Sequence, residues 1–144
     1  MDLKKYESIR PLAPEEVQEA IQFLTSLEPL RAIYESLHLD QSWDELMQVL
    51  ATCRCVEDFK LKVSSRWVKH IMHQCCSSVE LTGMEHIAKE EAYTYISNHR
   101  DIILDSAFLN VLLADRGAKF PEIAIGANLM LYPWIEILVK LNGS

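Results

Sequence analysis

The sequence predicts an α/β fold, in which a helical region over residues 1–80 precedes the first strand–helix–strand units of an α/β domain over residues 81–144. Apolar residues recur at helical spacing from about residue 13 to residue 78, and this pattern changes after Gly83. Beyond that point, residues 93–97 and 122–126 are typical of short buried strands, and helical spacing lies between them. A crossover of this length forms a right-handed parallel unit.

Prolines and a capping box mark the predicted helices of the first region. Pro14 stands at a first helical position, and Pro29 ends that helix and allows a second over residues 30–37. Ser42 and Glu45 form a capping box that begins a third helix. A longer helix is predicted over residues 56–75. The apolar faces consist of Val17, Ala20, Ile21 and Leu24 in the first helix, Leu46, Val49 and Leu50 in the third, and Phe59, Val63, Trp67, Ile71 and Cys75 in the last.

The second region alternates predicted strands and helices. Residues 93–97 are aromatic and β-branched, which is typical of a strand, and residues 98–101 form a polar break. Apolar residues at helical spacing predict a helix over 104–113, which Gly117 ends. A second strand over 122–126 is followed by a helix over 134–141. Residues 123–141 are nearly long enough to span a membrane, but Pro133, Glu136 and Lys140 favour a strand and a helix, with contact at a bilayer interface left open.

Composition narrows the class of protein. The chain is 49% apolar and 24% charged, as expected for a single globular domain. Its 14 Lys and Arg against 21 Asp and Glu give a net charge of −7, which argues against binding to nucleic acid. The first residues lack the apolar core of a secretory signal. Four cysteines are too few for a disulfide scaffold in a chain of this size, so we expect the protein to lie in the reducing cytosol.

The segment 96–105 is the strongest candidate for chemistry. His99 follows a predicted strand, where α/β folds place ligands, and Asp101 and Asp105 lie near the start of the next helix. A neutral imidazole held by a carboxylate is a general base that can activate a hydroxyl for attack on an acyl group. The alternative is that both aspartates only cap the helix and that His99 only binds a loop carbonyl.

Two longer segments resemble the bacterial glycerol-3-phosphate and lysophosphatidate acyltransferase family. ISNHRDIILDSAFLN is similar to the first conserved block of that family, and EIAIGANLMLYPWIEILVKLN is similar to the next segment. By this resemblance His99 removes the proton of the acceptor hydroxyl, and Asp105 orients the His99 imidazole. The family spacing is His-x4-Asp whereas this chain has His-x5-Asp, which leaves Asp101 as the second choice. The candidate substrate-binding residues are Arg100, Gly126 and Asn128.

The resemblance implies an acyltransferase that uses acyl-CoA or acyl carrier protein as co-substrate and a glycerol-phosphate acceptor, with no bound cofactor and no metal. It implies action at the inner face of the cytoplasmic membrane. The family's later basic block, which binds the substrate phosphate, has no counterpart before Ser144, so we expect an inactive N-terminal fragment of a longer enzyme. The alternatives are a different acceptor, such as an amino-acid lipid, and a helical interaction module without catalysis.

Two other patterns are weaker. Cys53, Cys55, Cys75 and Cys76 with His70 and His73 do not have the spacing of a zinc site, and buried apolar cysteines are the simpler interpretation. Lys60, Lys62, Arg66, Lys69 and His70 form a basic stretch that is expected to be solvated, with anionic lipid or an acidic carrier protein as the alternative partners.

Overall fold

The computed structural model describes residues 9–88, 91–98 and 100–144, and all regular structure in these ranges is helical. Seven α-helices follow one another, with a π-helical turn at Lys60–Ser64 and short 3₁₀ turns at Met84–His86 and Ala127–Leu129. The α-helices are α1 (Pro14–Thr25), α2 (Glu28–Ser36), α3 (Trp43–Leu50), α4 (Val56–Phe59), α5 (Ser65–Cys75), α6 (Leu104–Asp115) and α7 (Pro133–Leu141).

The prediction of an α/β fold is wrong, because neither predicted strand forms in the described residues. A strand needs a second backbone to bind its N–H and C=O groups, and residues 93–97 and 122–126 have no such partner ladder. Ile96 is 92% exposed rather than buried. The Tyr93 hydroxyl accepts a hydrogen bond from the Ala88 N–H at 2.9 Å. The aromatic run is thus part of a turn-rich connection in an all-α fold.

Contacts divide the chain into two units, which do not follow the sequence order. The first unit contains the residues up to Ser64 together with Glu122–Ser144, and the second contains Ser65–Pro121. In the first unit, α1 contacts α2 and α7, α2 contacts α3, and α4 contacts α7. Its buried apolar residues are Val17, Ala20, Ile21, Leu24, Tyr34, Leu46, Leu50, Cys53, Val56, Phe59, Val63 and Leu141.

The predicted starts of α1 and α3 are confirmed, whereas α2 begins at Glu28 and has Pro29 in its first turn. The Ser42 hydroxyl accepts from the Glu45 N–H at 3.3 Å, and Glu45 Oε2 accepts from the Ser42 N–H at 2.8 Å. At α1, Glu16 Oε2 accepts from the Ala13 N–H at 2.7 Å. The Gln18 side chain donates to the carbonyls of Leu50, the last residue of α3, and of Cys53, which lies just beyond it. These two bonds join α1 to the end of α3.

The long helix predicted over residues 56–75 is helical throughout but not uniform. The helical segments α4, the π-helical turn and α5 follow one another directly along the chain. In the second unit, α5 packs against α6, whose Val111 and Leu113 are buried. A salt bridge of 2.7 Å between Lys69 Nζ and Asp115 Oδ1 joins the same two helices.

Candidate functional site

The candidate site is the turn that precedes α6 in the second unit, residues 100–105. The Asp105 carboxylate folds back on this turn: its Oδ2 accepts the backbone N–H of Arg100 at 2.5 Å and that of Asp101 at 3.1 Å. These two bonds lower the pKa of Asp105, the Arg100 bond more strongly, because both stabilise the ionised carboxylate. Asp105 is therefore an anion at neutral pH.

Asp101 has a different role in the same turn. Its Oδ1 accepts the backbone N–H groups of Ile103 and Leu104 at 2.9 and 2.7 Å. Leu104 is the first residue of α6, so Asp101 binds N–H groups that have no partner inside the helix. This is the capping role that the sequence left open for either aspartate. The two carboxylates thus bind different N–H groups of the same turn.

His99 lies outside the described residues, and its pairing with either aspartate stays a prediction. The residues that follow it are described. Among them, Asp105 Oδ2 accepts the N–H groups of Arg100 and Asp101, whereas Asp101 Oδ1 accepts those at the start of α6. Of the two carboxylates, Asp105 is thus the one bonded to the backbone of the residues that follow His99 in sequence.

The remaining side chains of the turn are one cation, Arg100, and two apolar residues, Ile102 and Ile103. Arg100 is exposed, and within the described ranges its guanidinium makes no hydrogen bond or salt bridge. Ile102 and Ile103 are 59% and 68% exposed. These isoleucines are not among the predicted site residues, although two adjacent β-branched apolar residues between Asp101 and Asp105 are a signal that the sequence shows.

Gly126 and Asn128 belong to the first unit, whereas the turn at 100–105 belongs to the second. Gly126 directly precedes the 3₁₀ turn at Ala127–Leu129, and its carbonyl accepts the Leu129 N–H at 2.9 Å. A Cβ at Gly126 would lie 2.5 Å from Asn128 Oδ1. The close approach expected at this glycine is therefore made by the side chain of Asn128.

Most lysines of the predicted basic stretch are paired with carboxylates. Lys60 is buried and its Nζ lies 3.7 Å from Glu122 Oε1, while Lys62 forms a salt bridge with Asp58 at 2.9 Å. Lys69 pairs with Asp115, as described above. Three of the five basic residues thus already have an acidic partner, which weakens the case for this stretch as a docking face.

The cysteines are free thiols, and Cys53 is buried, which raises its pKa. Within residues 9–88, 91–98 and 100–144, no three His, Cys, Asp or Glu side chains are grouped so that they could hold a metal ion. Over the same part of the chain, no helix combines the length and the apolar character that crossing a bilayer requires.

Comparison with protein-family models matches no family, and comparisons with curated proteins and with solved structures find no similar chain. The resemblance to an acyltransferase family therefore stays a prediction from the two sequence segments.

Proposed function

We propose that this protein is an acyltransferase, which moves a fatty acyl group from a thioester of coenzyme A or acyl carrier protein to the hydroxyl of glycerol-3-phosphate or lysophosphatidate. The supporting observation is the Asp105 carboxylate, which binds the backbone N–H groups of Arg100 and Asp101, the two residues directly after His99. A general base must be held in one orientation, and a fixed turn beside it restricts its position.

In the proposed mechanism His99 removes the proton from the acceptor hydroxyl as the oxygen attacks the thioester carbonyl. The C–O bond forms, the C–S bond breaks, and the imidazolium returns the proton to the departing thiolate. Asp105, kept ionised by its backbone bonds, accepts the second imidazole N–H and stabilises the imidazolium. Asp105 is favoured over Asp101 because its carboxylate binds the backbone N–H groups directly after His99 in sequence, whereas Asp101 caps α6.

The other side chains of the turn suit the two substrates. The exposed guanidinium of Arg100 can bind a phosphate through paired N–H groups. Ile102 and Ile103 present apolar surface to an acyl chain. Gly126 and Asn128 are proposed as further substrate contacts on the strength of the second matched segment alone. Because the product is a lipid, we place the reaction at the cytoplasmic face of the inner membrane.

The test is acyl transfer by the complete gene product that contains these residues. Radiolabelled glycerol-3-phosphate, lysophosphatidate and an amino-acid lipid are each incubated with acyl-CoA and with acyl carrier protein thioester. His99→Ala should lower the rate by about 10²- to 10⁴-fold, the usual contribution of a general base. His86→Ala changes an exposed histidine of the unit that contains the turn; it is the matched control and should retain the full rate. An unchanged rate in folded His99→Ala protein would refute the mechanism.

A second candidate is a helical interaction module without catalysis. Two observations favour it: the described structure is all helical, and Asp101 acts as a helix cap. The absence of transfer to every acceptor by the folded wild-type protein would select this candidate.

A further inference from the structure

The connection between the last 3₁₀ turn and α7 combines apolar character with exposure. Residues 123–135 contain no charged side chain. Within them, the segment 129–134, which we term the apolar loop, exposes Leu129, Leu131, Tyr132 and Trp134. Leu131 is 74% exposed and Tyr132 is 59% exposed. An exposed group of large apolar side chains of this kind marks a contact surface.

The apolar loop is attached to a well-packed support. It leads directly into α7, which contacts α1 and α4 inside the first unit. At the other end of α7, Leu141 is fully buried. The same helix thus has a leucine in the core near its carboxyl end and exposed apolar residues at its amino end.

We propose that the apolar loop inserts into the interfacial layer of a lipid bilayer. Tyrosine and tryptophan rings favour the headgroup level, where one edge is apolar and the other is hydrated, and leucines favour the acyl boundary below it. The four side chains expose roughly 400–500 Å², about half of the ~800 Å² that each partner buries in a stable protein interface. This area is small for a dimer of two such loops but sufficient for interfacial insertion.

The charges around the loop indicate which lipids it meets. Glu122 and Glu136 flank the uncharged run, and Glu136 is paired with Lys140 at 2.9 Å. No basic side chain lies within residues 123–135 to attract anionic headgroups. Insertion is therefore driven by apolar burial, so binding should be no stronger to anionic than to zwitterionic vesicles and should not weaken at high salt. This inference does not depend on acyl transfer, because vesicle binding is measured without substrate.

The test is flotation of the 144-residue chain with phosphatidylcholine vesicles, at low and high salt, and with vesicles that also contain phosphatidylglycerol. Leu131→Asp should lower the partition coefficient at least about tenfold. The substitution removes a leucine that would be buried in the bilayer and adds a charge. Tyr132→Gln should weaken it less. The matched control is Leu61→Asp, which alters another apolar residue of the same unit that is 62% exposed but lies between two lysines.

Salt-insensitive binding that is lost in Leu131→Asp and kept in Leu61→Asp would support the proposal. It would be overturned by an absence of binding in the wild type, by equal loss in both variants, or by binding that requires phosphatidylglycerol. Sedimentation provides the remaining check: a wild-type dimer that Leu131→Asp converts to a monomer, without vesicle binding, would assign the loop to a second copy of the chain and overturn the proposal.

Discussion

Truncation of Leu141 measures how firmly α7 is held in the helical core of the first unit. The Leu141 side chain is fully buried, and α7 contacts α1 and α4. Replacing leucine by alanine removes three carbon groups, worth about 2.4 kcal/mol of transfer free energy at about 0.8 kcal/mol each. A residual cavity adds to this loss, so Leu141→Ala should lower the free energy of unfolding by about 3–4 kcal/mol.

The assay is urea unfolding followed by far-UV circular dichroism and tryptophan fluorescence, since Trp43 and Trp134 both lie in this unit. With a slope of about 2 kcal/mol per M, the midpoint should fall by about 1.5–2 M without a change in slope. Leu131→Ala is the matched control, because this leucine is 74% exposed, and its effect should stay within about 0.5 kcal/mol. Similar losses in the two variants would refute the packing of α7 against α1 and α4.

Two further predictions concern backbone geometry and pH. Gly143 has φ +76°, and a Cβ there would overlap the Lys60 ammonium, so Gly143→Ala should cost about 1–3 kcal/mol in urea unfolding. Gly126→Ala is its control, because φ is −70° there and the atom that a Cβ would meet, Asn128 Oδ1, is the end of a side chain that can rotate away. It should cost clearly less than Gly143→Ala, and equal effects would contradict a cost from positive φ. The Arg10 bond is the main cause that lowers the pKa of Glu16 to about 2. Since the unfolded value is near 4.3, this ionised carboxylate stabilises the fold above about pH 5, and its contribution falls as the pH drops toward 2. The stability difference between wild type and Glu16→Gln should shrink over that interval, and a difference independent of pH would contradict the assignment.

The helices of the first 75 residues could be predicted because their signals are local. Pro14, the Ser42–Glu45 capping box and the apolar spacing all act within one or two turns of the residues that they order. The strands could not be predicted reliably, because a strand is stable only with a second strand that the run itself does not specify. Residues 122–126 instead make isolated backbone bonds, from the Ile123 N–H to the Gly143 carbonyl and from the Leu129 N–H to the Gly126 carbonyl, both at 2.9 Å.

The same distinction applies to the candidate site. The position of Asp101 and Asp105 at the start of α6 follows from short-range spacing, and the structure adds which N–H groups each carboxylate binds. The charge of the basic stretch was overestimated mainly because two of its three acidic partners are distant in sequence. Lys69 pairs with Asp115, 46 positions away, and the partner of Lys60 is Glu122. No local pattern indicates such pairs.

The most direct test of the central claim is the pH–rate profile for acyl transfer by the complete gene product, compared between Asp105→Asn and Asp101→Asn. If Asp105 orients His99, Asp105→Asn should lower kcat/KM by about 10²-fold or more and shift the acidic limb to lower pH, because loss of the carboxylate lowers the pKa of the imidazole. In Asp101→Asn the acidic limb of the pH–rate profile should stay at the same pH and most of the rate should remain, since asparagine also caps helices. A larger loss in Asp101→Asn, or an unchanged profile in Asp105→Asn, would contradict the assignment of Asp105.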